Sequence, residues 1–143
     1  MPDRTATTTW TGDLQQGSGS VELTSSGVGT YDVSFPKRGA DDADGTTSPE
    51  EMLAAAHSSC FAMALSNEIA EAGGTPTEMT VTATVTLDTS ALKISEVALT
   101  IRATVDGLDE SGFDSAVSAA EEGCPVSNLF RGNTEITVDA SLS

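Results

Sequence analysis

The stretch Ser48–Glu71, SPEEMLAAAHSSCFAMALSNEIAE, decides how the rest of the chain must be arranged. Ser48 is a capping residue, Pro49 suits the first helical position, and Glu51 stands where a capping box needs its carboxylate. Gly73-Gly74, with Pro76 beyond, supplies the stop. About two dozen residues at 1.5 Å of rise each make a helix of ~35 Å. From Met52 to Leu65 nearly every position is apolar or small, so no polar face is left for solvent and the pattern predicts a helix buried all round.

On both sides of this helix the apolar period changes to two. Between Thr5 and Phe35 the chain is rich in Thr, Ser, Gly and Val, with turn chemistry at Gly17–Gly19 and Ser25–Gly29. Three short antiparallel strands follow, carrying Trp10, then Val21 and Leu23, then Tyr31, Val33 and Phe35. Pro36 to Thr47, with Asp41, Asp42, Asp44, Gly39 and Gly45, reads as an exposed acidic loop. Beyond the helix, Met79, Val81, Ala83, Val85 and Leu87 alternate with threonines as a strand with one face in the core. In the next strand Leu92 and Ile94 keep one phase and Val97, Leu99, Ile101, Ala103 and Val105 the other, which predicts a bulge near Ser95-Glu96. Phe113–Glu122 is amphipathic and stops at Gly123, Cys124-Pro125-Val126-Ser127 opens a short helix, and Ile136, Val138, Ala140 and Leu142 close the chain as a strand.

This order is α+β, with antiparallel sheets around a long buried central helix. Its 143 residues make one domain, residues 1–143. A chain of this length that also builds six strands has too little material to cover such a helix, so two chains are expected to pack their central helices together as an intertwined homodimer.

Twenty-two acidic residues against six basic ones give a net charge of -16, which excludes binding to nucleic acid or to an anionic membrane surface. Lys37 and Lys93 are the only lysines. Such charge strains a compact chain in dilute buffer and is relieved at ~1 M salt, where the Debye length is about 3 Å, so a halophilic, salt-rich setting is expected. No apolar run reaches the ~18–20 residues of a membrane span, and Met1–Trp10 lacks a secretory h-region, which points to the cytoplasm. In a reducing compartment, two cysteines are more readily explained by catalysis or redox sensing than by a structural disulfide. One histidine and two cysteines in no close ligand spacing fall short of a metal site.

Cys60 lies mid-helix among Ala, Ser and Phe, where burial raises a thiol's pKa, and an inert buried thiol is the plain alternative. As a nucleophile it needs a cation nearby, and of the four arginines, Arg38, after the third strand and before the helix cap, is the best placed. Cys124, in Gly-Cys-Pro, stands at a helix N-cap where unpaired amides favour a thiolate, although it could simply fill that slot. Glu50 and Glu51 suit a helix start as partners of the dipole. Glu50 precedes Cys60 by ten residues, ~15 Å of rise on one helix, so contact with that sulfur would have to come from a neighbouring chain. His57 shares the Cys60 face, but a lone histidine on a buried helix is more often a hydrogen-bonded core residue than a general base.

Taken together, SPEEMLAAAHSSCFAMALS, the later GCPVSNLF and the opening WTGDLQQGSGSV resemble the osmotically inducible protein C (OsmC) and organic hydroperoxide resistance family along nearly the whole chain. The resemblance implies an OsmC-like α+β swapped dimer with active sites at the subunit interface. It also implies thiol peroxidase activity on organic hydroperoxides without metal or prosthetic group. Cys60 would be peroxidatic and Cys124 resolving. Arg38 would hold the Cys60 thiolate and polarise the peroxide, and Glu50 would orient the guanidinium. A sulfenic acid on Cys60 would condense with Cys124 to a disulfide, reopened by a dithiol or lipoyl-protein donor. Met52, Leu53, Phe61, Leu129 and Phe130 would line a pocket for alkyl or lipid hydroperoxides. The alternative is a redox sensor or stress protein without turnover, or a ligand-binding module of the same fold.

Overall fold

In the computed structural model, which describes residues 1–143, the Thr- and Val-rich opening forms three strands, β1 (Thr7–Thr11), β2 (Ser18–Glu22) and β3 (Thr30–Val33). They pair antiparallel in the order β1-β2-β3. Trp10 stands opposite Gly19, and a side chain on Gly19 would meet the indole at 2.8 Å, so only glycine fits beneath that ring. The sheet belongs to the first of two units into which the chain divides, Met1–Met52 and Leu53–Ser143. Val21 is the one buried apolar residue of this first unit, whereas Trp10, Leu14, Val28, Tyr31 and Phe35 are exposed.

Ser34 ends β3 before the expected Phe35, because it caps a single helical turn, α1 (Phe35–Arg38), accepting the Lys37 N–H at 3.4 Å. The sequence reading had placed this turn in the acidic loop; Pro36 in its first turn is the residue that favours it. Residues 39–45 are exposed, as expected. Thr47 then returns to β3, donating its N–H to the Asp32 carbonyl at 3.0 Å and bridging Val33 in parallel. That return sets up helix α2 (Pro49–Glu71), where Ser48 Oγ accepts the Glu51 N–H at 3.1 Å. The capping box is only half formed, since the Glu51 carboxylate takes the Thr47 hydroxyl at 2.5 Å instead.

Helix α2 ends as expected: Gly73 adopts φ 86°, a conformation suited to glycine, and the Gly74 N–H closes back on the Ile69 carbonyl at 2.9 Å. In a single chain α2 is not buried all round. His57, Phe61, Leu65 and Ile69, spaced every fourth residue, form its buried stripe, while Ala55, Ala56, Ser59 and Met63 face outward, Met63 70% exposed. Within a single chain the helix is therefore covered on one side only, because small residues make the other side apolar without supplying anything to cover it.

The second unit holds a three-stranded sheet of β4 (Thr75–Asp88), β5 (Lys93–Asp106) and β6 (Glu135–Leu142), with helices α3 (Glu110–Gly123) and α4 (Pro125–Phe130) between β5 and β6. Strands β4 and β5 pair antiparallel, and the pairing skips Ser95, between Leu87↔Ile94 and Thr86↔Glu96, which is the expected bulge. Strand β6 runs parallel to β5, so this sheet is mixed rather than antiparallel throughout. The two helices supply the crossover that a parallel neighbour requires, and strand periodicity carries no information about direction. Helix α3 starts before the expected Phe113, because Asp109 Oδ1 caps it by accepting the Gly112 N–H at 2.8 Å. Phe61, Leu65 and Ile69 of α2 pack with Leu99, Ile101 and Ala103 of β5 and with Phe113, Ala116, Val117 and Ala120 of α3 in one core. No helix is long and apolar enough to cross a membrane.

Candidate active site

Two pairs of chemically capable side chains form, one in each unit. In the first unit, α1 carries Arg38 in its last turn and α2 carries Glu50 in its first, and the return of Thr47 to β3 brings those two turns together. Arg38 Nε donates to both Glu50 oxygens at 3.1 Å and Nη2 donates to Oε1 at 2.6 Å. The fork occupies one edge of the guanidinium; Nη1 makes no hydrogen bond and is the open donor. Burial works against charge on Glu50, but the Arg38 hydrogen bond, the amide at the helix start, the Arg38 charge and the Ser48 hydroxyl together hold its carboxyl below the usual range. The Glu50 hydrogen bond raises Arg38 further above its ordinary value. Arg38 is thus a fixed cation, aimed by a carboxylate that stays ionised.

In the second unit, Cys60 is half-buried on α2 and Cys124 is fully buried in the same core, and both are free thiols. Cys124 stands at the junction of α3 and α4: its N–H closes α3 on the Ala120 carbonyl at 2.8 Å, and its carbonyl accepts the Asn128 N–H at 3.0 Å to start α4. Pro125 occupies the first position of α4. The two thiols are near enough to alter each other's ionisation. Burial pushes Cys60 up, and the Cys124 neighbour adds to this against the pull of the Val126 amide. Burial also opposes ionisation of Cys124, but the Ser127 amide and hydroxyl, the Cys60 thiol and the Val126 amide outweigh it and draw Cys124 down. No cap hydrogen bond closes on the Cys124 sulfur. With no other charge beside them, Cys124 is the sulfur that ionises first.

His57 is wholly buried one turn before Cys60, and its Nε2 lies 2.8 Å from Ser127 Oγ, also wholly buried. Its ring packs against Phe130 and edge-on to Phe61, at centroid separations of 5.3 and 6.5 Å. Burial lowers its pKa, with a weaker opposing pull from Glu121, so the imidazole is neutral near pH 7. The core reading of His57 matches this setting. Ser127 was not singled out in the sequence, although a hydroxyl three residues after an N-cap cysteine, Cys-Pro-Val-Ser, is a legible spacing.

Two other arginines pair with carboxylates. Arg102 pairs with Asp139 at 2.7 Å and Arg131 with Glu121 at 2.8 Å. Of the expected pocket residues, Phe61 and Phe130 are buried and Leu129 is 66% exposed, so the two phenylalanines serve the core.

An OsmC-like protein family model matches residues 40–139, which span α2 and both cysteines. The chain is 39% identical over 135 residues to a protein of Escherichia coli strain K12 named peroxiredoxin OsmC, covering 93% of this chain and 92% of that one. It is 28% identical over 113 residues to the organic hydroperoxide resistance protein of Xanthomonas axonopodis pv. citri, covering 74% and 75%. The crystal structure of an organic hydroperoxide resistance protein from Elizabethkingia anophelis is similar with a TM-score of 0.75 at 30% identity, over 97% of this chain and 96% of that one. The matched span carries Glu50, Cys60 and Cys124 on an α+β scaffold, and the chain belongs to the OsmC-like protein family.

Proposed function

We propose that this protein is a peroxiredoxin-like hydroperoxide reductase that converts organic hydroperoxides to alcohols through Cys60 and Cys124. The observation that carries this reading is the meeting of two free thiols, from separate helical elements, in one core where each shifts the other's ionisation. Relatives named peroxiredoxin and organic hydroperoxide resistance protein support it.

Burial and the Cys124 neighbour hold Cys60 above the usual thiol range, so Cys60 needs a positive neighbour to ionise. Arg38 is the cation for this task, with Nη1 left open by the Glu50 fork. The Cys60 thiolate attacks the terminal peroxide oxygen, the O–O bond breaks, and the alkoxide leaves to be protonated as the alcohol. Cys60 is left as a sulfenic acid. The Cys124 thiolate attacks that sulfur, an S–S bond forms, and the hydroxide leaves as water. Two electrons from a dithiol donor, a lipoyl protein in this reading, then reopen the disulfide. The working unit is a homodimer: Ala55, Ser59 and Met63 on the open side of α2 offer an apolar surface that a second chain covers.

One equivalent of cumene hydroperoxide followed by mass spectrometry tests the reading. The expected product is an intramolecular Cys60–Cys124 link, with steady consumption of peroxide when dithiol is added. A link without sustained consumption would assign the pair to sensing rather than turnover, and full turnover by Cys60→Ser would remove Cys60 from the chemistry.

A further inference from the structure

The His57–Ser127 hydrogen bond is the only side-chain hydrogen bond joining α2, which carries Cys60, to α4, which follows directly on Cys124. Both partners are wholly buried, and His57 Nδ1 has no hydrogen-bond partner. This last feature assigns the tautomer. Were Nδ1 protonated, a buried N–H would be left without an acceptor, whereas a proton on Nε2 leaves only a lone pair unmatched. The Nε2–H therefore donates to Ser127 Oγ, and the Ser127 hydroxyl hydrogen must point away from the ring. Ser127 stands three residues after Cys124, in the first turn of the helix that Cys124 caps.

We infer that His57 and Ser127 are positioning residues for the resolving step: their buried hydrogen bond ties the helix that carries Cys60 to the helix that Cys124 caps, and so favours disulfide closure over further oxidation of Cys60. The inference rests on the proposed roles of Cys60 as peroxidatic and Cys124 as resolving thiol. In the step concerned the Cys124 thiolate attacks the sulfenic sulfur of Cys60, the S–S bond forms, the S–O bond breaks, and the hydroxide takes up a proton to leave as water. This relay moves no proton itself; it fixes where α4, and with it Cys124, stands against α2 before the attack. The groups facing it are Cys60 on α2, Cys124 at the α3–α4 junction, and Glu121 of α3, whose carboxylate is paired with Arg131.

Single-turnover oxidation with cumene hydroperoxide, with sulfenic acid trapped and disulfide counted over time, tests this in Ser127→Ala, Ser127→Thr and His57→Phe. Phenylalanine fills the histidine's space against Phe61 and Phe130 without its donor. Loss of the hydrogen bond between the two helices should slow disulfide closure about tenfold relative to the peroxide step in Ser127→Ala and His57→Phe, with a matching rise in Cys60 sulfinic acid. Ser127→Thr, which keeps the hydroxyl, should restore closure to within about twofold. A Ser127→Ala protein that forms the Cys60–Cys124 link at the wild-type rate overturns the relay while leaving the peroxidase reading intact. Absence of that link in the wild-type protein overturns both.

Discussion

The two halves of the proposed chemistry are built in opposite ways. Arg38 and Glu50 sit in a unit whose three-stranded sheet buries little apart from Val21, and their order comes from hydrogen bonds: a capped turn, a returning threonine and a forked ion pair. Cys60 and Cys124 sit in a unit where α2, β5 and α3 share a dense apolar core, and their order comes from packing. A guanidinium kept partly in water loses little hydration, whereas a core excludes water from sulfur but penalises its charge. A fixed cation is thus prepared where charge costs little, and a thiol pair where the core excludes water.

This contrast can be broken by substitution, and the largest effect belongs to the sulfurs. Cys60→Ser should lower peroxidase turnover by at least ~10³-fold, since no other nucleophile replaces it, whereas Cys124→Ser should complete one oxidation and then accumulate sulfinic acid on Cys60, as read by a coupled dithiol assay and mass spectrometry. Packing comes next. Leu65→Ala should cost roughly 2–5 kcal/mol in denaturant unfolding and Val21→Ala only about 1–2 kcal/mol, and equal costs would erase the distinction between the units.

The charge supply follows. Arg38→Met should reduce kcat/KM for cumene hydroperoxide about 100-fold, mainly by raising the pH at which Cys60 reacts, a shift measurable in the pH–rate profile. Glu50→Gln should cost about 1–2 kcal/mol, because a partly exposed guanidinium loses its partner. The pH dependence has a defined sign. The Glu50 carboxyl is held below its ordinary value, so its contribution to stability is complete above the ordinary pKa of about 4.3 and is lost as pH falls through the lower native value. Acid titration of stability should therefore be shallower in Glu50→Gln than in wild type over that window. The smallest effect is ionic: with a net charge of -16, the melting temperature should rise between dilute buffer and molar KCl, and a flat response would remove the expectation of a salt-rich setting.

Several elements were legible before any coordinates. Helix α2 starts and stops where Ser48-Pro49 and Gly73-Gly74 place it, and the bulge falls at Ser95 where two apolar phases meet. These signals are local, because a cap, a glycine at positive φ or a break in alternation acts within a few residues. The direction of β6 was not legible, since an alternating strand reads the same in either sense until α3 and α4 carry it across.

The site divides in the same way. Residue type and position nominated Cys60, Cys124 and Arg38, and the family resemblance added Glu50, one of twenty-two acidic residues. The chain itself therefore determined which groups are available and where its main helix begins and ends. Only the tertiary structure decided that His57 meets Ser127, seventy residues away, and that both cysteines gather on one core. The reason is physical: hydrogen-bond partners and local charge depend on which helix termini and core faces come together, and no spacing along the chain encodes that meeting.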